Sequence, residues 1–316
     1  MYTYTTARNL YGTLCNDSSS ANLTVGDSLI NDSILAVRSI RPFAFLESVE
    51  TLDTVASQQA YQIPNSIGDR LNDLSVTVGT TVYMPKPIVD SDSWKVVLSS
   101  NLGESDAPLY WYRQGTTVLI APTPATAGNT ITFRGRSRVG FRTIADYSTG
   151  TITSVANGGV AVVGDSTVWT ASMAGRFIRI TESDTANNGD GMWYEILSVT
   201  DNTHLTLKKP YDGTSIAAGT AAYVIGQVSG IPEEYDIAPI YRAVALYYSK
   251  EDSAKASVFW RLYDGGVEAG LSSVYGGAIG RMLEGTGKDE RHYLPPENLD
   301  VPDPNVPPRE IDTTFS

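Results

Sequence analysis

Ile231-Pro-Glu-Glu-Tyr-Asp-Ile-Ala-Pro-Ile-Tyr-Arg-Ala-Val-Ala-Leu-Tyr-Tyr248 marks the return of helix after a long β-prone stretch. Pro232 suits a first helical position, and Glu233 and Glu234 complement the positive end of a helix dipole. Tyr235, Ala238, Tyr241, Val244, Ala245 and Tyr248 then form one apolar stripe at helical spacing. After Lys250-Glu-Asp-Ser253 a second helix carries Ala256, Phe259, Trp260, Leu262 and Tyr263; it either continues or breaks through Gly265-Gly266 toward Val274. The same periodicity recurs at the other end of the chain. Thr24-Val-Gly-Asp27 reads as a helix start related to the capping box, followed by Leu29, Ile30, Ile34, Val37 and Ile40 until Pro42. A shorter helix over residues 7–14 precedes it, with Asn16-Asp17-Ser18 as the break. Neither terminal pair buries much surface alone. The expectation is one helical bundle built from residues 1–47 and 229–283, with β material inserted between them.

That β material divides in two. Residues 48–147 carry Val49-Glu-Thr-Leu-Asp-Thr-Val55, Ala60-Tyr-Gln-Ile63, Leu74-Ser-Val-Thr-Val78, Thr81-Val-Tyr83, Tyr110-Trp-Tyr112, Thr117-Val-Leu-Ile120 and Thr130-Ile-Thr-Phe133. Gly79-Thr80 and Arg113-Gln-Gly115 supply turns, which predicts an antiparallel β-sandwich domain. Residues 148–228 hold six more short β-prone runs separated by Asn157-Gly158, Asn188-Gly-Asp-Gly191, Asp201-Asn202 and Asp212-Gly213. Six strands in so short a stretch predict an inserted small β-barrel. Residues 284–316 differ again: Pro295, Pro296, Pro302, Pro304, Pro307 and Pro308 exclude helix and central strand, and favour an extended Pro-rich arm. A solvated tail and an arm lying on a partner are both open readings. Leu294, Leu299, Val301, Val306, Ile311 and Phe315 favour the arm. The fold class is α+β.

The chain has 316 residues, 41% hydrophobic and 18% charged, more than one hydrophobic core usually supports. Its 23 basic and 35 acidic residues leave a net charge of −12, which disfavours nucleic-acid binding through a basic face. One cysteine, Cys15, excludes an internal disulfide and a cysteine-rich zinc site, and two histidines, His204 and His292, disfavour histidine metal centres. No apolar run approaches the ~20 residues of a membrane span. The first residues lack the basic and apolar regions of a signal peptide, so the expectation is a soluble protein made in a cytoplasm, with no cofactor.

One catalytic reading competes. Gly26-Asp-Ser-Leu29 matches the motif of the GDSL esterases, and Asp289-Glu-Arg-His292 matches a D-x-x-H base pair. That serine should follow a buried parallel strand; here it falls in the first turn of an amphipathic helix, where the dipole accounts for Asp27. Gly164-Asp-Ser166 does follow an apolar run, but among hairpins. There is no P-loop, dinucleotide fingerprint or H-E-x-x-H, and Gly276-Gly277 and Gly280 have no lysine at P-loop spacing. Cys15 reads as a buried small apolar residue and His204 as structural. Asp90-Ser-Asp92 and Asp184…Asp190 read as solvated turns rather than calcium loops. Trp111, Trp169 and Trp193 read as packing residues rather than sugar platforms.

Arg134, Arg136 and Arg138 alternate, with Arg142 close behind and no acid between Phe133 and Phe141. Alternation places the first three on one strand face if the strand stays regular. Three readings stand: a solvated face, contact with phosphates, or pairing with acids on a neighbouring subunit.

Thr6-Ala-Arg-Asn-Leu-Tyr-Gly-Thr-Leu14, Leu23-Thr-Val-Gly-Asp-Ser-Leu-Ile-Asn-Asp-Ser-Ile34, Leu119-Ile-Ala-Pro-Thr-Pro124, Asn129-Thr-Ile-Thr-Phe133 and Ile231-Pro-Glu-Glu-Tyr235 occur in an order that resembles the head-to-tail adaptor (neck or connector) proteins of tailed bacteriophages. Gly150-Thr-Ile-Thr, Trp193-Tyr-Glu-Ile and the run Val168-Trp-Thr-Ala-Ser-Met-Ala-Gly-Arg-Phe-Ile-Arg-Ile180 look like modules of phage structural proteins. The resemblance spans residues 5–275; the glycines at 265, 266 and 270 and the proline arm depart from it. It implies a virion structural protein, not an enzyme. Its partners would be copies of itself in a dodecameric ring, the phage portal protein, and tail or nozzle proteins, with genome DNA passing through the lumen without sequence-specific binding. The arm residues Leu294, Pro295, Pro296, Leu299, Val301, Val306 and Phe315 would then dock a partner. Another tail role, terminator or nozzle, is the alternative.

Overall fold

The computed structural model describes residues 1–100, 102–181 and 189–285. Among them are α1 (Tyr4–Cys15), α2 (Ser20–Ser39), β1 (Glu47–Asp53), β2 (Ala60–Gln62), β3 (Ile67–Val78), β4 (Thr81–Tyr83), β5 (Lys86–Ile88) and α3 (Ser91–Ser99). There follow β6 (Tyr110–Gln114), β7 (Thr117–Ala121), β8 (Thr130–Ser137), β9 (Thr151–Val155), β10 (Ala161–Asp165), β11 (Phe177–Ile180) and β12 (Trp193–Asp201). The described chain closes with β13 (His204–Leu207), β14 (Ile216–Ala221), β15 (Tyr223–Gly226), α4 (Ala238–Tyr248), α5 (Ser253–Asp264) and α6 (Gly277–Gly285). The fold is mixed α+β, with six helices and several antiparallel sheets among the described residues.

Helices from the two ends of the sequence share one core. Tyr11 of α1, Ile34 and Val37 of α2, Val244 of α4, Tyr263 of α5 and Met282 of α6 are all buried in the same cluster. The Tyr248 hydroxyl donates to the Cys15 carbonyl at 2.9 Å, tying α4 to α1.

Local chemistry moves two expected helix starts. Ser19, not Thr24, caps α2, its side chain accepting from the Asn22 N–H. Thr24 lies in the second turn and donates to the Ser20 carbonyl at 2.8 Å. Asp27 is therefore inside the helix, where the dipole does not account for it. It accepts from the Tyr4 hydroxyl at 3.0 Å and faces Arg8 at 3.3 Å, joining α1 to α2. At the other end, Pro239 rather than Pro232 lies in the first turn of α4. Residues 233–237 form turns, and Glu233 pairs with the N-terminal ammonium at 2.8 Å instead of decorating a helix start. α5 breaks at Gly265, whose φ of 82° lies in the left-handed region. Beyond it α6 forms, an element absent from the sequence reading.

The first β region contains two four-stranded sheets, ordered β1-β8-β3-β4 and β2-β7-β6-β5. Their inward residues, among them Tyr61, Leu74, Trp111, Ile120 and Phe133, share one core. This region is not wholly antiparallel as expected, because β5 runs parallel to β6. Parallel neighbours need a crossover. α3 supplies it, capped by Asp90, whose carboxylate accepts from the N–H groups of Asp92 and Ser93 at 3.1 and 2.7 Å. The Asp90-Ser-Asp92 run is thus a helix start rather than a turn. Trp94 anchors α3 by stacking on Tyr112 at 5.6 Å between ring centroids.

The second β region is one seven-stranded sheet, ordered β14-β9-β10-β13-β12-β11-β15. It has one strand more than expected: β14, an Ala- and Gly-rich run with weak β-propensity. Its outer strands β14 and β15 contribute Ile216, Ala221, Tyr223 and Ile225 to the same core as the central strands. The sheet therefore curls around a single interior, with no β14–β15 pairing among the described strands.

Candidate functional site

The segment leaving β8 crosses from the first β region to the helices and then to the seven-stranded sheet. It carries two neighbouring arrangements: a buried clasp and an arginine-lined cleft.

Arg142 and Asp236 form the clasp. Both are buried, at 1% and 0% exposure, so the pair is fully removed from water. Arg142 Nη2 donates to the two carboxylate oxygens of Asp236 at 2.5 and 2.6 Å. Asp236 also accepts from the Ser229 hydroxyl and the Tyr2 N–H, each at 2.5 Å. Burial pushes the Asp236 carboxyl above the usual carboxylate range, and Arg142, Ser229 and Tyr2 pull the other way. Asn31 of α2 holds the Arg142 backbone by a reciprocal pair, accepting its N–H at 2.9 Å and donating to its carbonyl at 3.0 Å. Nearby, the Thr3 hydroxyl donates to Asp146, and the Gln227 side-chain oxygen accepts from the N–H groups of Thr143 and Ile144 at 2.7 and 2.8 Å. The clasp therefore joins the N-terminus, α2, the crossing segment and the turn before α4.

The cleft lies beside it, with a volume of about 900 Å³. One wall is α2 from Asp32 to Ser39; the other is residues 62–68, Arg113, Thr116 and the end of β8 through Phe141. The expected run of four arginines is split between three settings. Arg134 is exposed and sits 3.9 Å from Asp73, a pair worth about 0–1 kcal/mol at most. Arg136 and Arg138 both line the cleft. Arg142 is in the clasp, so its side chain does not join the others on an accessible face. The reason is structural: β8 ends at Ser137, so period-two alternation stops before Arg142. Arg136 Nε and Nη2 are buried without a hydrogen-bond partner in the structure. Asp32, the cleft-wall carboxylate, is paired with Arg242 at 2.7 Å.

Other residues singled out from the sequence take ordinary places. Ser28 is exposed in the interior of α2, following helix rather than strand, so the geometry of a GDSL nucleophile is not reproduced there. Its supposed partners Asp289 and His292 lie outside the described residues, as do Asp184 and the arm from residue 286 onward, Leu294, Pro295, Pro296, Leu299, Val301, Val306 and Phe315 included; residues 284 and 285, expected in the arm, end α6 instead. Cys15 is buried, and burial pushes its thiol up to about 11. His204 is exposed and contacts the Asp201 carboxylate at 2.9 Å. Trp111 and Trp169 are core residues, while Trp193 is half-buried beneath Arg179. Among the described residues no group of three or more His, Cys, Asp or Glu side chains is placed to hold a metal. No described helix is long and apolar enough to cross a membrane.

Sequence reasoning passed over Asp236 and Asn31. Asp236 had a readable signal, since it lies inside an otherwise apolar stripe and a buried acid requires a partner. It also passed over exposed apolar side chains between β4 and α3: Val82, Met84, Val89, Val96 and Leu98, with Val89 at 95% exposure. Exposure of that many large apolar groups on consecutive elements is a feature of interaction surfaces.

Residues 2–155, just under half of the chain, match the family of the SU10 adaptor protein. The match runs from before α1 to the end of β9, and so covers α1, α2, both four-stranded sheets, the cleft wall and Arg142. That half of the chain is similar to a phage structural adaptor. No curated protein matches the chain.

Proposed function

We propose that the chain is a virion structural protein: a head-to-tail adaptor that forms a ring under the phage portal, extends the DNA channel and provides the docking platform for tail proteins. The observation that carries this reading is the match of residues 2–155 to the SU10 adaptor family. The single core built by α1, α2, α4, α5 and α6 supports it, because a bundle that joins helices from before and after the β regions makes a rigid body from which they project. The exposed apolar groups between β4 and α3 support a partner contact, and Arg134, Arg136 and Arg138 supply cations for acids on a neighbouring copy. A net charge of −12 per copy suits a channel that DNA must pass without sticking. In the virion the protein sits at the neck, and its role is mechanical.

The test is assembly with the portal. Native mass spectrometry of the chain with its cognate portal is expected to show a ring, dodecameric on this reading, bound to the portal. Arg136→Glu is expected to weaken the ring while leaving the fold intact. A chain that stays monomeric with portal present refutes the reading. Density for the labelled chain at the distal end of the tail supports a nozzle subunit instead.

A further inference from the structure

We propose that residues 293–308 of the chain lie in the chain's own arginine cleft when the subunit is free. This goes beyond the ring reading, and rests on the cleft and the sequence of the arm.

The cleft presents two chemistries on one wall. Pro64, Val139 and Phe141 are apolar lining residues, and Phe141 is 41% exposed although it is aromatic. Arg136 and Arg138 lie on the same wall. Arg138 is exposed and Arg136 half-buried with two nitrogens lacking an acceptor, so a carboxylate entering the cleft meets guanidinium charge that is short of counter-charge. The nearby acids do not relieve it. Asp32 is held by Arg242, Asp73 faces Arg134, and Glu47, opposite Arg136 in the β1–β8 register, makes no ion pair with it. Arg138 has no carboxylate partner among the described residues. The cleft thus takes an extended, apolar ligand carrying carboxylates.

Residues 293–308 have that composition. Leu294, Leu299, Val301 and Val306 alternate with prolines, Glu297, Asp300 and Asp303 supply three negative charges, and the segment contains no lysine or arginine. Proline-rich sequences in general favour extended geometry, which lowers the entropy lost on docking, and aromatic-lined grooves are the usual receptors for them. The arm also departs from the right place. Arg41 Nη2 donates to the Leu283 carbonyl at 3.4 Å, so the end of α6 lies against the residue two positions beyond Ser39 of the cleft wall. Residues 286–292 reach up to about 24 Å when extended. A tether of that length gives a local concentration in the millimolar range, so the chain's own arm outcompetes the arm of a second copy at micromolar protein.

The experiment uses the full chain alone at micromolar concentration. A photo-cross-linking benzoylphenylalanine replaces Phe141 on the cleft rim, and products are mapped by mass spectrometry. The expected product is an intramolecular cross-link to residues 293–308. Cross-links confined to other residues, or formed only between chains, overturn the proposal. Neutralising the arm with Glu297→Gln, Asp300→Asn and Asp303→Asn leaves the folded body untouched and is expected to cut the cross-link yield about tenfold. Undiminished yield overturns the proposal. Arg136→Glu with Arg138→Glu is expected to abolish the cross-link, and adding Glu297→Lys, Asp300→Lys and Asp303→Lys to restore it. Restoration also shows that the cleft variant folds. These readouts need no portal, so they stand or fall separately from ring assembly.

Discussion

Replacing Asp236 by asparagine tests the clasp with the smallest change of shape. The carboxylate is fully buried and accepts four short hydrogen bonds, two from Arg142 and one each from Ser229 and Tyr2. Asparagine keeps the volume and one acceptor oxygen, but it leaves the Arg142 guanidinium buried without a counter-charge and turns an amide NH2 toward donors. Breaking a buried pair from one side costs about 3–5 kcal/mol. With a urea slope of about 3 kcal/mol per molar, the unfolding midpoint falls by about 1–1.7 M. Adding Arg142→Met removes the stranded charge, while the Asn31 bonds to the Arg142 backbone survive. The double variant is therefore expected to be more stable than the sum of the single losses predicts, with a coupling of about 1.5 kcal/mol or more. The assay is urea unfolding followed by circular dichroism and by tryptophan fluorescence, in all four members of the cycle. A loss below about 1 kcal/mol for Asp236→Asn, or strict additivity, refutes the account of the clasp as a charge-compensated pair.

A Cβ at position 26 would overlap the Tyr11 ring where α1 crosses α2, so Gly26→Ala is expected to destabilise the bundle by about 1–3 kcal/mol; thermal melting measures it, and an unchanged melting temperature contradicts the packing. Burial pushes the Cys15 thiol up to about 11, so alkylation by iodoacetamide at pH 8 is expected to be far slower in the folded chain than in urea. Because that proton is held more tightly in the folded state, the contribution is intact below the unfolded value of about 8.5 and is lost as pH rises toward about 11. The Thr203 N–H, and next the His204 ring, hold the Asp201 carboxyl down to about 2. That contribution is present above about 3.9 and is lost as pH falls through about 2; carboxyl NMR titration is expected to place the midpoint near 2, and one near 4 contradicts the turn geometry.

Much of the fold is legible because periodicity survives in isolation. The Tyr241–Tyr248 and Ile30–Val37 stripes announce a shared apolar surface, and the strands around Trp111, Ile120 and Phe133 alternate as half-buried strands must. What was lost depends on single polar atoms. A serine five residues upstream captured the start of α2, and Asp90 capped a helix that its neighbours Ser91 and Asp92 disguise as a turn. α6 is hidden because glycines at 277, 280 and 285 weaken helix propensity, and only packing of Ile279 and Met282 against the bundle secures it. In the candidate site, the structure places Arg136 and Arg138 along one cleft and draws Arg142 away from them into the buried pair with Asp236, 94 positions away. No local pattern encodes a partner at that distance.

The joining of α1 and α2 to α4, α5 and α6 in one core carries a consequence for synthesis. On the ribosome, α1 and α2 emerge first but have no α4, α5 or α6 to pack against until the chain is made through Gly285. Both β regions are complete before then and close their own cores. A prematurely terminated product thus carries two finished β regions on an open apolar helix pair, a species for chaperones and proteases to remove. Only translation through α6 closes this core, so fragments are kept from competing with intact chains.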